Sequence, residues 1–329
     1  MSLLNRRQFS LAVGVGALGV GTPKFGHAQS YPSKPIRLVV GFAPGGLTDI
    51  LARMIAPVLG EQLGQPVIVD NKPGANGNIS TSFVAGSDAD GHTLLLSSSA
   101  QIVYSPNTYK KLPTDPITGL RHITMVGEGD FIFVVNSQVG VNTLEEFVAL
   151  AKAKPGTLNY ATGGLGGSLH VIQEMFRQRV GIDMVPVHYK GSAAALTELL
   201  SNQVQVFCDG LPSLDPYIKS GKLKPLFVSS SRRMEALPNV PSSVEVKLPE
   251  FAKLSNWFGL HAPKGTPDAV IAKLNTALNA AKTSPPVLEK LKGAAIRPVF
   301  NSSTEFTAQI EAANQVIAQV TRAGNIQID

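Results

Sequence analysis

The chain repeats one order of secondary structure, strand–helix–strand–helix–strand, in two separate regions. The first copy runs through "IRLVVGF", "TDILARMIAPVLGEQLG", "PVIVDNK", "ISTSFVAGS" and "HTLLLSSS". The second runs through "TLNYAT", "LHVIQEMFRQRVG", "DMVPVHY", "AAALTELLSNQ" and "VQVFCDG". Strands that alternate with helices predict a parallel sheet. We therefore predict an α/β protein with two sheets of one kind. In the first helix, apolar residues at helical spacing run up to Gly64 as the stop, and Thr48 or Asp49 is predicted to cap the start.

A glycine-rich loop joins the first strand to the first helix in each copy: "GFAPGGLTD" in one and "ATGGLGGSLH" in the other. Ligands of open α/β sheets bind beyond the carboxyl ends of the strands, where the next helix presents unpaired N–H groups and partial positive charge. Glycines let a ligand approach that backbone closely. The pair of loops predicts an anion held between the two sheets, although each loop is also compatible with a plain tight turn.

A carboxylate fits these loops better than a nucleotide. The first loop nearly spells a phosphate loop, but Leu47 stands where that motif requires lysine. No G-x-G-x-x-G fingerprint follows the strand. One carboxylate held by each loop suits a small dicarboxylate.

The candidate ligand-binding residues lie in the two loops and at the ends of neighbouring strands. They are Phe42, Ala43, Pro44, Gly45, Gly46, Leu47, Thr48, Asp49, Ser98, Ser99, Thr162, Gly163, Gly164, Gly166, Gly167, Ser168, His170, Tyr189 and Asp209. Two interpretations stay open for several of them. His170 either donates to an anion or packs inside, and Asp209 either receives a ligand group or caps a turn. Trp257 and Phe258 either stack on an aromatic ligand or pack in the core.

The first residues are typical of an export signal. Arg6 and Arg7 precede a short apolar run, and the small residues Gly26 and Ala28 suit cleavage after about Ala28. The paired arginines indicate the twin-arginine type. Removing residues 1–28 takes Arg6, Arg7 and Lys24 from the 29 basic residues and no acid, which leaves 26 basic and 23 acidic residues. A net charge this mild does not indicate nucleic-acid binding.

The residues give no signature of catalysis, metal or cofactor. G-x-S-x-G and H-E-x-x-H are absent from the sequence, and the histidines lack metal-ligand spacing. The one cysteine, Cys208, lies in an apolar stretch and is interpreted as a buried residue. We predict a binding protein with no cofactor. A ligand sensor that presents its closed form to a signalling partner, and an exported enzyme acting on a carboxylate, remain as alternatives.

Six stretches in order resemble the Bug-type receptors of tripartite tricarboxylate transporters. They are "FAPGGLTDILAR", "VDNKPGANGNI", "LNYATGGLGGSLH", "VPVHYKGSAAALTELLSNQV", "SGKLKPLFVSS" and "WFGLHAPKGTP". The resemblance implies a two-lobed periplasmic-binding-protein fold (type II) that closes on a small carboxylate, with loops Phe42–Asp49 and Thr162–His170 gripping it. It also implies delivery to a membrane permease of two subunits, a large one and a small one.

We expect the mature protein to be a periplasmic monomer. One lobe is expected to hold residues 29–128 and 227–329, and the other residues 129–226.

Overall fold

The structure is a computed structural model that describes residues 31–189 and 191–328. The predicted export signal, residues 1–28, lies outside these ranges. Residues from Pro32 onward form one unit. Among the described residues, no helix has both the length and the apolar character needed to cross a bilayer.

Strands and helices alternate along the described chain. The strands are β1 (Ile36–Val40), β2 (Val67–Asn71), β3 (Thr93–Ser98), β4 (Leu120–Gly129), β5 (Ile132–Asn136), β6 (Asn159–Thr162), β7 (Val185–His188), β8 (Val206–Asp209), β9 (Leu223–Val228), β10 (Asn256–Pro263) and β11 (Arg297–Pro298). The helices are α1 (Leu47–Leu63), α2 (Asn78–Ala85), α3 (Ser105–Thr108), α4 (Pro116–Gly119), α5 (Leu144–Ala153), α6 (Ser168–Val180), α7 (Ser192–Leu200), α8 (Leu211–Lys219), α9 (Asp268–Asn279), α10 (Pro285–Gly293) and α11 (Ser303–Ala323).

The strands form two sheets with the same internal order. The first sheet reads β2-β1-β3-β10-β4-β11, and the second reads β7-β6-β8-β5-β9. In each, the three strands of the repeated unit are parallel, and the next strand along, β10 or β5, is antiparallel to both of its neighbours. The two predicted parallel units are therefore confirmed, and the reversed strand makes each sheet mixed.

The chain passes between the sheets twice. Asp130 and Phe131 alone join β4 to β5, and residues 229–255 join β9 to β10. The two passages are bonded to each other: the Phe131 N–H donates to Ser229 Oγ at 2.8 Å, and the Ser229 N–H donates to the Phe131 carbonyl at 2.8 Å. The lobe boundary expected between residues 226 and 227 falls inside β9, and the division into lobes stays a prediction.

Residues after β9 stay with the second sheet for a further stretch. The Phe251 ring meets those of Phe133 and Phe227 edge-on, at centroid distances of 5.8 Å each. Phe133 in turn stacks on Phe227 at 4.4 Å. Cys208 in β8 is fully buried, as predicted, and burial raises the pKa of its thiol. A reactive thiolate there would be strongly disfavoured.

Helix α1 follows its predicted course but begins differently. It contains Pro57 and ends at Leu63, and its C-cap is Gly64, as predicted; the φ of 68° at Gly64 is the left-handed conformation that glycine tolerates. The prediction that Thr48 or Asp49 caps its start is wrong, because Gly46 is the N-cap and no side chain bonds to the helix there.

Candidate functional site

A cavity of about 310 Å³ lies where loops and helix starts that follow strands of the two sheets meet. Its size is at the lower end of the ~300–1,000 Å³ range of small-molecule sites. Its lining is formed by Phe42, Gly46, Leu47, Thr48, Asn76, Ser98, Ala100, Gly163, Gly164, Gly167, Ser168, Leu169, Ser192, Asn256 and Phe258. None of these residues carries a charge.

Three helix N-termini border this cavity, those of α1, α6 and α7. Their N-caps are Gly46, Gly167 and Gly191, and at none of them does a side chain bond to the first turn. The first N–H groups of each helix therefore lack the partners that Ser, Thr, Asp or Asn would supply. Three partial positive charges and their free donors face one small space, which favours an anion.

The loop before α1 is tied down by Asp49. Its carboxylate accepts from the Gly45 N–H at 2.9 Å, from Arg53 Nε at 3.0 Å and from Asn71 Nδ2 at 2.9 Å. The hydrogen bond from Arg53 lowers the pKa of this carboxyl from 3.8 to about 2. Asp49 is thus occupied by the protein itself and positions the loop instead of lining the cavity.

Beneath the same loop, the amide of Gln101 joins several backbone segments. Its Oε1 accepts from the Ser98 N–H at 3.2 Å, and its Nε2 donates to the Gly77 carbonyl at 3.1 Å. Gly41 packs against this amide so closely that an added Cβ would lie 2.7 Å from Nε2. Gln101 is fully buried and fixes Ser98, which lines the cavity.

The loop before α6 is held by uncharged groups. The Gly166 N–H donates to His170 Nδ1 at 3.0 Å, and the Gly164 N–H donates to Thr162 Oγ1 at 3.3 Å. Thr162 Oγ1 also bonds to His188 Nδ1 at 2.8 Å. A ring nitrogen that accepts a hydrogen bond must be unprotonated. Burial lowers the pKa of His170 from 6.5 to about 4, which matches this role.

Asp209 supports the start of α7. Its carboxylate accepts from Ser192 Oγ at 2.7 Å, from Ser213 Oγ at 2.8 Å and from the Gly210 N–H at 2.8 Å. Burial raises the pKa of Asp209, and the three hydrogen-bond donors oppose this rise because they stabilise the charged form. Asp209 orients Ser192, whose residue lines the cavity.

The structure divides the predicted site residues into two groups. Those that line the cavity are Phe42, Gly46, Leu47, Thr48, Ser98, Gly163, Gly164, Gly167 and Ser168. Those that do not are Ala43, Pro44, Gly45, Asp49, Ser99, Thr162, Gly166, His170, Tyr189 and Asp209. Several of the second group hold the first in position, and the ligand contacts themselves stay a prediction.

The list of candidate residues omitted five that line the cavity: Asn76, Ala100, Leu169, Ser192 and Asn256. Asn76 was visible as the middle of the turn "PGANGN", and its φ of 54° fits a turn. Of the two aromatic residues left open, Phe258 lines the cavity. Trp257 instead packs edge-on against Phe306 at 5.1 Å. No group of three or more metal-binding side chains occurs within the described ranges.

The paired sheets and the cavity between them are the architecture of periplasmic solute-binding proteins. A family model described as "Tripartite tricarboxylate transporter family receptor" matches residues 51–326. Protein BugT of Bordetella pertussis (strain Tohama I) is 37% identical over 293 residues, which cover 88% of each chain. The chain therefore belongs to the TctC family of tripartite tricarboxylate transporter receptors, a family of solute receptors and not of enzymes, as predicted.

Solved structures agree with this assignment. The periplasmic binding protein BugD is 30% identical with a TM-score of 0.75, and the match covers 91% of this chain and 100% of that one. An R. palustris protein solved with adipate is 30% identical with a TM-score of 0.78, over the same shares. MatC from Rhodopseudomonas palustris, solved with malate, is 28% identical with a TM-score of 0.74, over 88% and 99%. The predicted two-lobed periplasmic-binding-protein fold is confirmed.

Proposed function

We propose that this protein is an exported receptor that binds a small carboxylate between two lobes and delivers it to a membrane permease of two subunits. The observation that carries the proposal is the meeting of three uncapped helix N-termini at one uncharged cavity. A carboxylate near a helix start gains ~0.3–1 kcal/mol from the dipole, and up to ~2 kcal/mol where it is partly buried.

The two loops divide the work between two ends of one ligand. One carboxylate would lie at the start of α1, among Gly46, Leu47 and Thr48. The other would lie at the starts of α6 and α7, near Ser168 and Ser192. A ligand held from both sheets favours the closed arrangement of the lobes, because only that arrangement offers both sets of donors. The bonded passages at Phe131 and Ser229 are where we place the hinge.

The relatives solved with malate and adipate make dicarboxylates the first ligands to try. The purified chain, lacking residues 1–28, should be screened by thermal shift and calorimetry against mono-, di- and tricarboxylates and aromatic acids. A bound acid at 100 times its Kd should add ~2.7 kcal/mol to the free energy of unfolding. No response to any acid would contradict the proposal.

Delivery needs its own test, since binding alone is also compatible with a sensor. Uptake of the identified acid should be measured in cells with and without the gene for this chain, in the presence of a two-subunit permease. Loss of uptake on deletion supports delivery. Unchanged uptake, with a lost transcriptional response to the acid, would favour the sensor. Mass spectrometry should recover the acid unchanged.

A further inference from the structure

A second cavity, of about 610 Å³, adjoins the first. Its lining comes from α1, from the start of α8 and from the end of α10. The lining residues are Leu47, Ile50, Arg53, Met54, Pro212, Lys290, Gly293 and Ala294. We call the first cavity the inner chamber and this one the outer chamber. Leu47 is the one residue found in both linings.

Leu47 is held in its place between the chambers. It is the first residue of α1, and it follows directly on the Gly45–Gly46 segment. The Gly45 N–H is bonded to Asp49 Oδ2 at 2.9 Å, which closes the loop onto the first turn of the helix. The backbone of Leu47 is therefore fixed at the start of α1, which keeps its half-buried side chain at the boundary of the two chambers.

The outer chamber is lined by apolar and cationic residues, which suits the far end of a longer dicarboxylate. Ile50, Met54, Pro212 and Ala294 give it an apolar wall suited to methylene groups. Two cations, Arg53 and Lys290, also line it. The Arg53 guanidinium is shared with Asp49 and Asn71, at 3.0 and 3.2 Å. Lys290 is absent from the ion pairs found among the described residues. A second carboxylate in this chamber would meet its ammonium.

We propose that Leu47 sets the length of the ligand, by closing the inner chamber to acids whose chain would extend into the outer one. This inference rests on the proposed function, because it concerns the same site. Short dicarboxylates fill the inner chamber alone and use the apolar face of Leu47 as a wall. Longer ones are rejected because their middle carbons coincide with that side chain.

The test is a chain-length series of α,ω-dicarboxylates, from three to ten carbons, titrated by calorimetry into the whole mature protein. In the native protein the affinity should fall at least tenfold at one step of the series. Leu47→Ala should move that step to longer acids and raise the affinity for the longest ones at least tenfold. The shortest acids should bind Leu47→Ala a few-fold more weakly, because they lose an apolar contact.

Two variants separate this role from a general change in the helix. Ile50→Ala alters a residue of the outer chamber alone, and its chain-length profile should match that of the native protein within twofold. In the Leu47→Ala background, Lys290→Gln should remove much of the gain for long acids and leave short acids unchanged. Thermal unfolding of each variant confirms that it is folded.

Specific results would overturn the inference. If Leu47→Ala changes the affinity for all acids equally, Leu47 does not set the ligand length. The same conclusion follows if Ile50→Ala moves the drop in affinity to longer acids as Leu47→Ala does. If acids bind the native protein but Leu47→Ala has the same dependence of affinity on chain length, the inference about length fails and the proposed function stands. If no acid binds the native protein, the proposed function fails together with it.

Discussion

The loops before α1 and α6 have the same task and are built from different chemistry. Each ends in a glycine N-cap that leaves its helix start open to the cavity. The first is held by the ionised Asp49 between Arg53 and Asn71. The second is held by neutral groups, His170 and Thr162. One backbone shape is thus stabilised in two ways that must respond differently to acid.

The difference in acid response follows from what each anchor needs. Asp49 must be ionised to accept its three donors, and its pKa of about 2 preserves them in mild acid. His170 must be neutral at Nδ1 to accept from Gly166, and its pKa of about 4 marks where that bond is lost. The second loop is therefore the one that acid loosens first.

The largest effect should come from removing the charged anchor. Asp49→Ala removes the charged acceptor of the Gly45 N–H and of Asn71 Nδ2. A hydrogen bond to a charged group contributes ~1.5–3 kcal/mol to stability. We expect a loss of ~2–3 kcal/mol in denaturant unfolding and a fall in carboxylate affinity of about 100-fold, or roughly 2.7 kcal/mol. Asp268→Ala is the control, because its carboxylate is 89% exposed beside Arg121 and should change stability by less than ~0.5 kcal/mol. Equal losses in both variants would show that Asp49 has no special role.

A somewhat smaller effect should follow from removing the neutral anchor. His170→Ala leaves the Gly166 N–H without its acceptor, a buried loss of ~1–3 kcal/mol. Affinity for the carboxylate should fall about tenfold, or roughly 1.4 kcal/mol, because the start of α6 is less well placed. His170→Asn is the matched variant, since its side-chain oxygen can accept near the position of Nδ1 and should restore much of the affinity. Titration calorimetry that finds both variants equally weak would argue against the hydrogen bond and for ring packing.

Acidification should separate the loops without any substitution. The His170 pKa is lower in the folded protein than its usual 6.5, so between pH 6.5 and about 4 the unfolded chain binds more protons. Stability therefore falls as pH falls through this window. His122, whose pKa burial also lowers to about 4, contributes to the same global loss.

A local probe is needed to assign this acid response to one loop. In amide NMR, the Gly166 resonance should titrate near pH 4. The Gly45 resonance should stay constant until the pH approaches 2. If both resonances titrate at the same pH, acid does not loosen the loop before α6 first.

The smallest effect on stability should come from closing an open helix start. Gly167 has a φ of −73°, and an added Cβ would meet the Gly164 carbonyl oxygen at an ordinary 3.5 Å. Gly167→Ser should therefore fit, cap α6 and add a few tenths of a kcal/mol. Its hydroxyl would compete for the N–H groups that the ligand needs, so affinity should fall several-fold.

The control is the removal of an existing cap from a helix away from the cavity. Ser302 is the N-cap of α11 and forms a capping box with Glu305. Ser302→Ala should cost ~1 kcal/mol in denaturant unfolding and leave binding unchanged. Tighter ligand binding by Gly167→Ser would show that the open N–H groups are not used.

Local sequence patterns predicted the fold and the two loops. They did not predict the start of α1 or the cavity residues on β10, because contacts between distant residues determine both. Helical spacing and Gly64 indicated α1 correctly. The cap was misplaced because Asp49 bonds to Asn71, which is 22 residues away on β2. Asn256 and Phe258 reach the cavity only because β10 returns to the first sheet after both passages. No local signal at those two positions distinguishes a cavity wall from a core strand.

Gln101 has a consequence for how related sequences can vary. A Cβ at Gly77 would lie 2.5 Å from its amide, and one at Gly41 would lie 2.7 Å from it. A smaller residue at 101 would release Ser98 and still would not admit a side chain at Gly41, because a Cβ there also meets Ser80 Oγ at 2.5 Å and the Gly77 Cα at 2.8 Å. Gly77 itself has a φ of 85°, which other residues rarely adopt. Gly41, Gly77 and Gln101 are therefore expected to stay unchanged among related sequences.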